Sequence, residues 1–97
     1  MSQPSNVNFN LGEAIRLGYA LGPGAATGTT LDLQGKSQVC FELGAGTYKV
    51  PNAARFTEVM VYASGAVTLT LVGGTTIVTI ASGDVVKLVA SSTSAWK

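Results

Sequence analysis

The stretch VTLTLVGGTTIVTI, residues 67–80, decides the fold. Val67, Leu69 and Leu71 fall on one side of an extended chain and Thr68 and Thr70 on the other, the period-two pattern of a half-buried strand. Gly73 and Gly74 follow, and TTIVTI (75–80) resumes the β-branched run. The spacing predicts a hairpin closed by a two-residue Gly-Gly loop with positive φ at both positions. Downstream, ASGD (81–84) reads as a turn and DVVKLVA (84–90) as another strand. Upstream, FTEVMVYA (56–63) places Thr57, Val59, Val61 and Ala63 on one face and Glu58, Met60 and Tyr62 on the other. Sequence adjacency predicts that three or four of these strands pair as an antiparallel meander.

The first half is less regular. AIRLGYAL (14–21) has helix-forming residues, but Gly12 and Gly18 flank or interrupt it and Gly22-Pro23-Gly24 ends it, so a strand is expected there. TTLDL (29–33) and QVCFEL (38–43) both alternate and are separated by the turn QGKS (34–37), which predicts a second hairpin. TYKV (47–50) is a further strand, and Pro51 ends it because proline donates no ladder hydrogen bond. About eight short strands with turn signals between them define an all-β chain. The expected architecture is an antiparallel β-sandwich or small jelly-roll-like barrel over residues 11–97, preceded by a polar N-terminal arm at residues 1–10.

Composition narrows the chemistry. The 97 residues make one small domain with a formal net charge of +1. Only 11% of residues are charged, against about 25% in an ordinary soluble domain. Hydrophobic residues make up 46%, mean hydropathy is positive, and such a chain folds rather than staying disordered. There is no histidine, and Cys40 is the sole cysteine, flanked by Val39 and Phe41 in a strand, the setting of a small buried hydrophobe. Glu13, Asp32, Glu42, Glu58 and Asp84 are dispersed, so no metal or cofactor is expected, and a calcium site built from carbonyls has no positive signal. Serine and threonine are abundant but lack a base, and the chain reads as a non-enzyme. Arg16, Lys36, Lys49, Arg55, Lys87 and Lys97 stand singly, without the clustering that nucleic acid requires. Lys87 within VVKLV reads as an edge or outward position. GPGAATG (22–28) fits neither a dinucleotide fingerprint nor a P-loop and reads as a surface loop. No apolar run approaches the roughly 20 residues of a membrane span, and MSQPSNVNFN has no signal-peptide pattern. No membrane partner is expected.

Both ends carry candidate contacts. Residues 1–10 hold Gln3 and Asn6, whose amides suit strand edges, and Val7 and Phe9, which suit shallow apolar pockets. Trp96 is either a lid on the domain's own core or an anchor in a partner interface.

The run from Phe56 through VTLTLVGGTTIVTI, ASGD and VVKLVASSTSAWK resembles the C-terminal half of small β-sandwich proteins of tailed-bacteriophage virions, the capsid decoration or cement and head-fibre type. The likeness covers residues 56–97. It implies a non-enzymatic structural protein, made in the host cytoplasm, that binds the major capsid protein at the virion surface, often as a homotrimer. Gln3, Asn6, Val7, Phe9 and Trp96 are then the expected partner contacts. The alternative is a tail-fibre or adhesin-type module that binds glycans, for which Tyr19, Tyr48, Tyr62 and Trp96 are the available aromatic platform.

Overall fold

A computed structural model describes residues 11–93, 95 and 96. The arm contacts Gln3, Asn6, Val7 and Phe9 lie outside the described residues. Among the described residues the regular structure is almost all strand: one six-residue helix, α1 (Leu11–Arg16), precedes β1 (Ala20–Leu21), β2 (Gln38–Leu43), β3 (Gly46–Val50), β4 (Glu58–Ala63), β5 (Val67–Leu71), β6 (Thr76–Ile80), β7 (Val85–Ser92) and β8 (Ala95–Trp96). The all-β expectation holds. The strands form two sheets, one in the order β1-β2-β4-β7-β8 and one in the order β3-β5-β6. Their inner faces meet in a single apolar cluster that includes Val39, Phe41, Val59 and Val61 from the first sheet and Tyr48, Val50, Val67, Leu69 and Ile80 from the second.

The connectivity departs from an antiparallel meander. β1 pairs with β2, β2 with β4, and β3 with β5, all in parallel. From β1 to β5 the chain alternates between the two sheets, with the segment at Thr30 bordering β3 between β1 and β2, and each return lands one rung further along, so this part winds as a short coil. Ala20, Val39 and Val59 lie abreast although they are about twenty residues apart in the chain. Only the last part reverses, with β5–β6, β4–β7 and β7–β8 antiparallel. These three ladders close the C-terminal end of the coil.

Several local expectations change with this topology. The hairpin at 67–80 is present, but its loop is Val72-Gly73-Gly74, closed by hydrogen bonds from Gly74 N–H to Leu71 O (2.8 Å) and from Leu71 N–H to Thr75 O (2.8 Å). Of its glycines only Gly74 takes positive φ, at 100°. Residues 29–33 do not pair with β2. Thr30 instead bridges Lys49 in parallel, and Leu31 N–H donates to Lys49 O (2.8 Å), so this segment borders β3 in the other sheet. The turn at 34–37 forms, with Gln34 (φ 54°) and Gly35 (φ 69°) both left-handed, yet it sends the chain across the sandwich rather than back on itself. Residues 14–21 divide into the end of α1 and the two residues of β1, because Gly18, at φ 100°, breaks the chain between them. Strand β4 begins at Glu58, and Phe56 belongs to the turn before it. Lys87 is exposed on β7, an inner strand between β4 and β8, so it is an outward position and not an edge.

The five-stranded sheet is covered by the core on its inner face and in part on its outer face. Cys40 and Met60 point away from the main core and are buried by Ala14 of α1 and by Tyr19. Burial pushes the Cys40 thiol pKa up, the condition of an inert packing residue. Parallel sheets are usually buried on both faces, and VCF in β2 and VMV in β4 are accordingly buried without a break. The loop 22–27 then crosses between the sheets at one end. Gly22 N–H donates to Cys40 O (2.8 Å), and a Cβ at Gly22 would land on the Phe41 ring, so the first glycine of GPGAATG is required by packing.

Candidate functional site

The two ends of the sandwich differ. At one end the chain passes between sheets through the turns 44–45, 64–66 and 81–84 and the longer loop 22–27. At the opposite end it crosses through 32–37 and 51–57, and these two connections lie side by side with a groove of about 450 Å³ between them. The apolar part of its lining comes from Leu31, Leu33 and Pro51, and the polar part from Asp32, Lys36, Asn52 and Thr57.

Both connections are held rigidly. Asp32 Oδ1 accepts from Gln34 N–H (2.9 Å), and Lys36 N–H donates to Leu33 O (3.0 Å). Thr57 N–H donates to Ala54 O (3.1 Å), Phe56 N–H to Ala90 O (2.8 Å) and Ala53 N–H to Thr93 O (3.2 Å), which pins 51–57 to the end of β7. Gln34 and Phe56 (φ 74°) are the non-glycine residues of positive φ among the described residues, one on each connection. Phe56 occupies the third position of its turn, where positive φ normally selects glycine. It is also 67% exposed, with the Arg55 guanidinium 4.7 Å from its ring centroid. A bulky side chain held left-handed and turned to solvent is strain that packing does not explain.

Trp96, an expected partner contact, is instead 6% exposed in the main core, and its indole N–H donates to Pro51 O (3.0 Å). Its ring lids the core and supports the 51–57 connection from beneath. Nor do the tyrosines form a platform with it. Tyr48 is buried between the sheets with its hydroxyl donating to Gly44 O (2.9 Å), Tyr19 is buried on the outer face of the five-stranded sheet, and Tyr62 is half-buried on β4. Phe56 is the exposed aromatic beside a groove. Its sequence context, Arg55-Phe56-Thr57, blends into a strand pattern, and nothing in that pattern marks it.

A second feature lies at the N-terminal corner. Ile15, Leu17 and Leu21 are exposed by 49%, 56% and 54%, on and just after α1 and on the two-residue edge strand β1. This corner is latched to the sheet by Tyr19, whose hydroxyl donates to Glu58 Oε1; Lys87 Nζ lies 3.8 Å from the same oxygen. Burial, then the hydrogen bond to Glu58 and its negative charge, hold the Tyr19 hydroxyl pKa well above the usual tyrosine range. Folded chains therefore keep this proton at pH values where unfolded chains release it. The associated stability is complete below about pH 10 and is lost as the pH climbs beyond it. Tyr19→Phe is expected to lower stability by about 1–2 kcal/mol at neutral pH, through loss of a hydrogen bond to a charged acceptor. In thermal melts between pH 9 and 11.5 the wild type should fall more steeply than the variant, with the Cys40 contribution common to both.

Among the described residues no three His, Cys, Asp or Glu side chains gather to hold a metal, and no helix is long and apolar enough to cross a membrane. Comparison of the chain with protein-family models, with curated proteins and with solved structures finds no match.

Proposed function

We propose that this chain is a non-enzymatic structural protein of a bacteriophage virion, made in the host cytoplasm, that binds the major capsid protein as a homotrimer and stabilises the shell from its surface. The observation that supports the reading is the apolar corner at Ile15, Leu17 and Leu21, three exposed large side chains between positions 15 and 21 beside β1, the edge strand of its sheet among the described residues. Isolated apolar side chains are ordinary on a soluble surface, whereas a concentration of them at one corner fits a docking face. Residues 1–10 precede α1 in the chain, and in this reading Val7 and Phe9 fill shallow apolar pockets of a capsid subunit while Gln3 and Asn6 pair with its exposed strand edges. Three-fold assembly multiplies a weak single-site affinity through effective concentration. The test is to incubate particles lacking the chain with the purified protein and pellet them. It should sediment with the particles at a fixed stoichiometry, and light scattering should give three copies per free or released assembly; a chain that stays in the supernatant contradicts the reading.

A further inference from the structure

We infer that the groove between residues 32–37 and 51–57 is a binding site for a small neutral saccharide, a function separate from the docking role proposed above. Three observations converge on it. The groove's volume, about 450 Å³, is that of an ordinary small-molecule site. Its two framing connections hold Gln34 and Phe56, the left-handed non-glycine residues of the described chain, and such backbone conformations cluster at active sites and ligand clamps. Thr57, which lines the groove, is only 6% exposed, yet its hydroxyl has no hydrogen-bond partner among the described residues. A buried hydroxyl without a protein partner at the wall of a groove is a place where a ligand group or water completes the hydrogen bonding.

The chemistry of the lining selects the ligand. Asp32 accepts, Lys36 donates, and the Asn52 amide does both, so hydroxyl groups can be met in either sense. The two charges are opposite in sign, which disfavours a phosphate or a cation as the occupant. Apolar floor residues Leu31, Leu33 and Pro51 suit the C–H face of a pyranose ring. Phe56 stands at the tip of the turn whose ends, Ala54 and Thr57, line the groove, and Arg55 covers one face of its ring and leaves the other available for stacking.

Titration of the isotope-labelled full chain with glucose, galactose, N-acetylglucosamine, maltose and cellobiose, read by amide chemical shifts, tests the inference. At least one sugar should shift resonances confined to 31–37 and 51–57, with a dissociation constant below ~10 mM. Asn52→Ala should weaken that binding at least fivefold. Phe56→Gly is the sharper variant, because glycine relieves the left-handed strain. Its melting temperature should rise by about 2–5 °C while sugar affinity falls at least fivefold. Val72→Ala, on the β5–β6 loop, should leave binding unchanged. The inference is overturned if no sugar in the panel shifts these residues, if inorganic phosphate shifts them at lower concentration than every sugar, or if Phe56→Gly binds as well as the wild type.

Discussion

Phe41→Ala should lower the melting temperature by at least about 12 °C. Phe41 is the largest of the fully buried side chains, 1% exposed, and stands on β2, the strand that joins β1 to β4 in the five-stranded sheet. Truncating a buried phenylalanine costs about 3–5 kcal/mol in lost transfer energy and residual cavity. Domains of this size are held by a total of only about 5–15 kcal/mol, and each kcal/mol moves the midpoint by roughly 4–8 °C. Little relaxation is available, because Val61 lies abreast of Phe41 on β4 and the backbone of Gly22 already sits against its ring. The same contact approached from the other side gives a second reading: Gly22→Ala overpacks the ring and should cost about 1–3 kcal/mol. Scanning calorimetry measures both. A fall of under 5 °C for Phe41→Ala would mean that this ring is not the centre of the core.

The second large effect is on association. Replacing Ile15, Leu17 and Leu21 together by serine should leave the fold almost as stable as before, since each is about half exposed and surface substitutions generally stay within about 0.5 kcal/mol. Binding to capsids should nevertheless fall about 30-fold or more, because three apolar side chains no longer transfer from water into the interface. Deleting residues 1–10 should weaken binding at least tenfold, again with nearly unchanged melting, and the loss is multiplied wherever several copies bind together. Competition sedimentation against the wild type reads both changes. Equal binding by the triple variant would remove this corner from the interface.

The sequence carries the strands far better than their partners. Period-two alternation reports which face a side chain takes, and for Val67, Leu69 and the β4 residues Val59 and Val61 that face is the observed core face. It does not report which strand lies alongside, and here the parallel neighbour is about twenty residues away. The turn at Gln34-Gly35 illustrates the ambiguity, since the same local chemistry serves a hairpin or a crossing between sheets. One signal did bear on the topology. VCF and VMV are unbroken apolar runs within otherwise alternating strands, and two-sided burial of that kind belongs to parallel sheets more than to the faces of a simple sandwich. The helix at Leu11–Arg16 was obscured by Gly12 within its first turn and Gly18 just after it, although Ala14 supplies the small side chain that packs over Cys40 and Met60.

The groove was not legible at all. Its polar residues come from two connections that become neighbours only because the chain coils, and Phe56 looks like the first residue of a strand until its φ of 74° is known. Trp96 was legible from its position first as a core lid and second as an interface anchor, and its burial and hydrogen bond to Pro51 O agree with the first.

Electron imaging of phage particles from the source of this chain, assembled with and without it, tests the capsid role. Added density is expected at regular, symmetry-related positions on the outer surface of the shell, restored when the purified protein is returned and absent with the Ile15, Leu17 and Leu21 triple variant. Identical shells with and without the chain would contradict it.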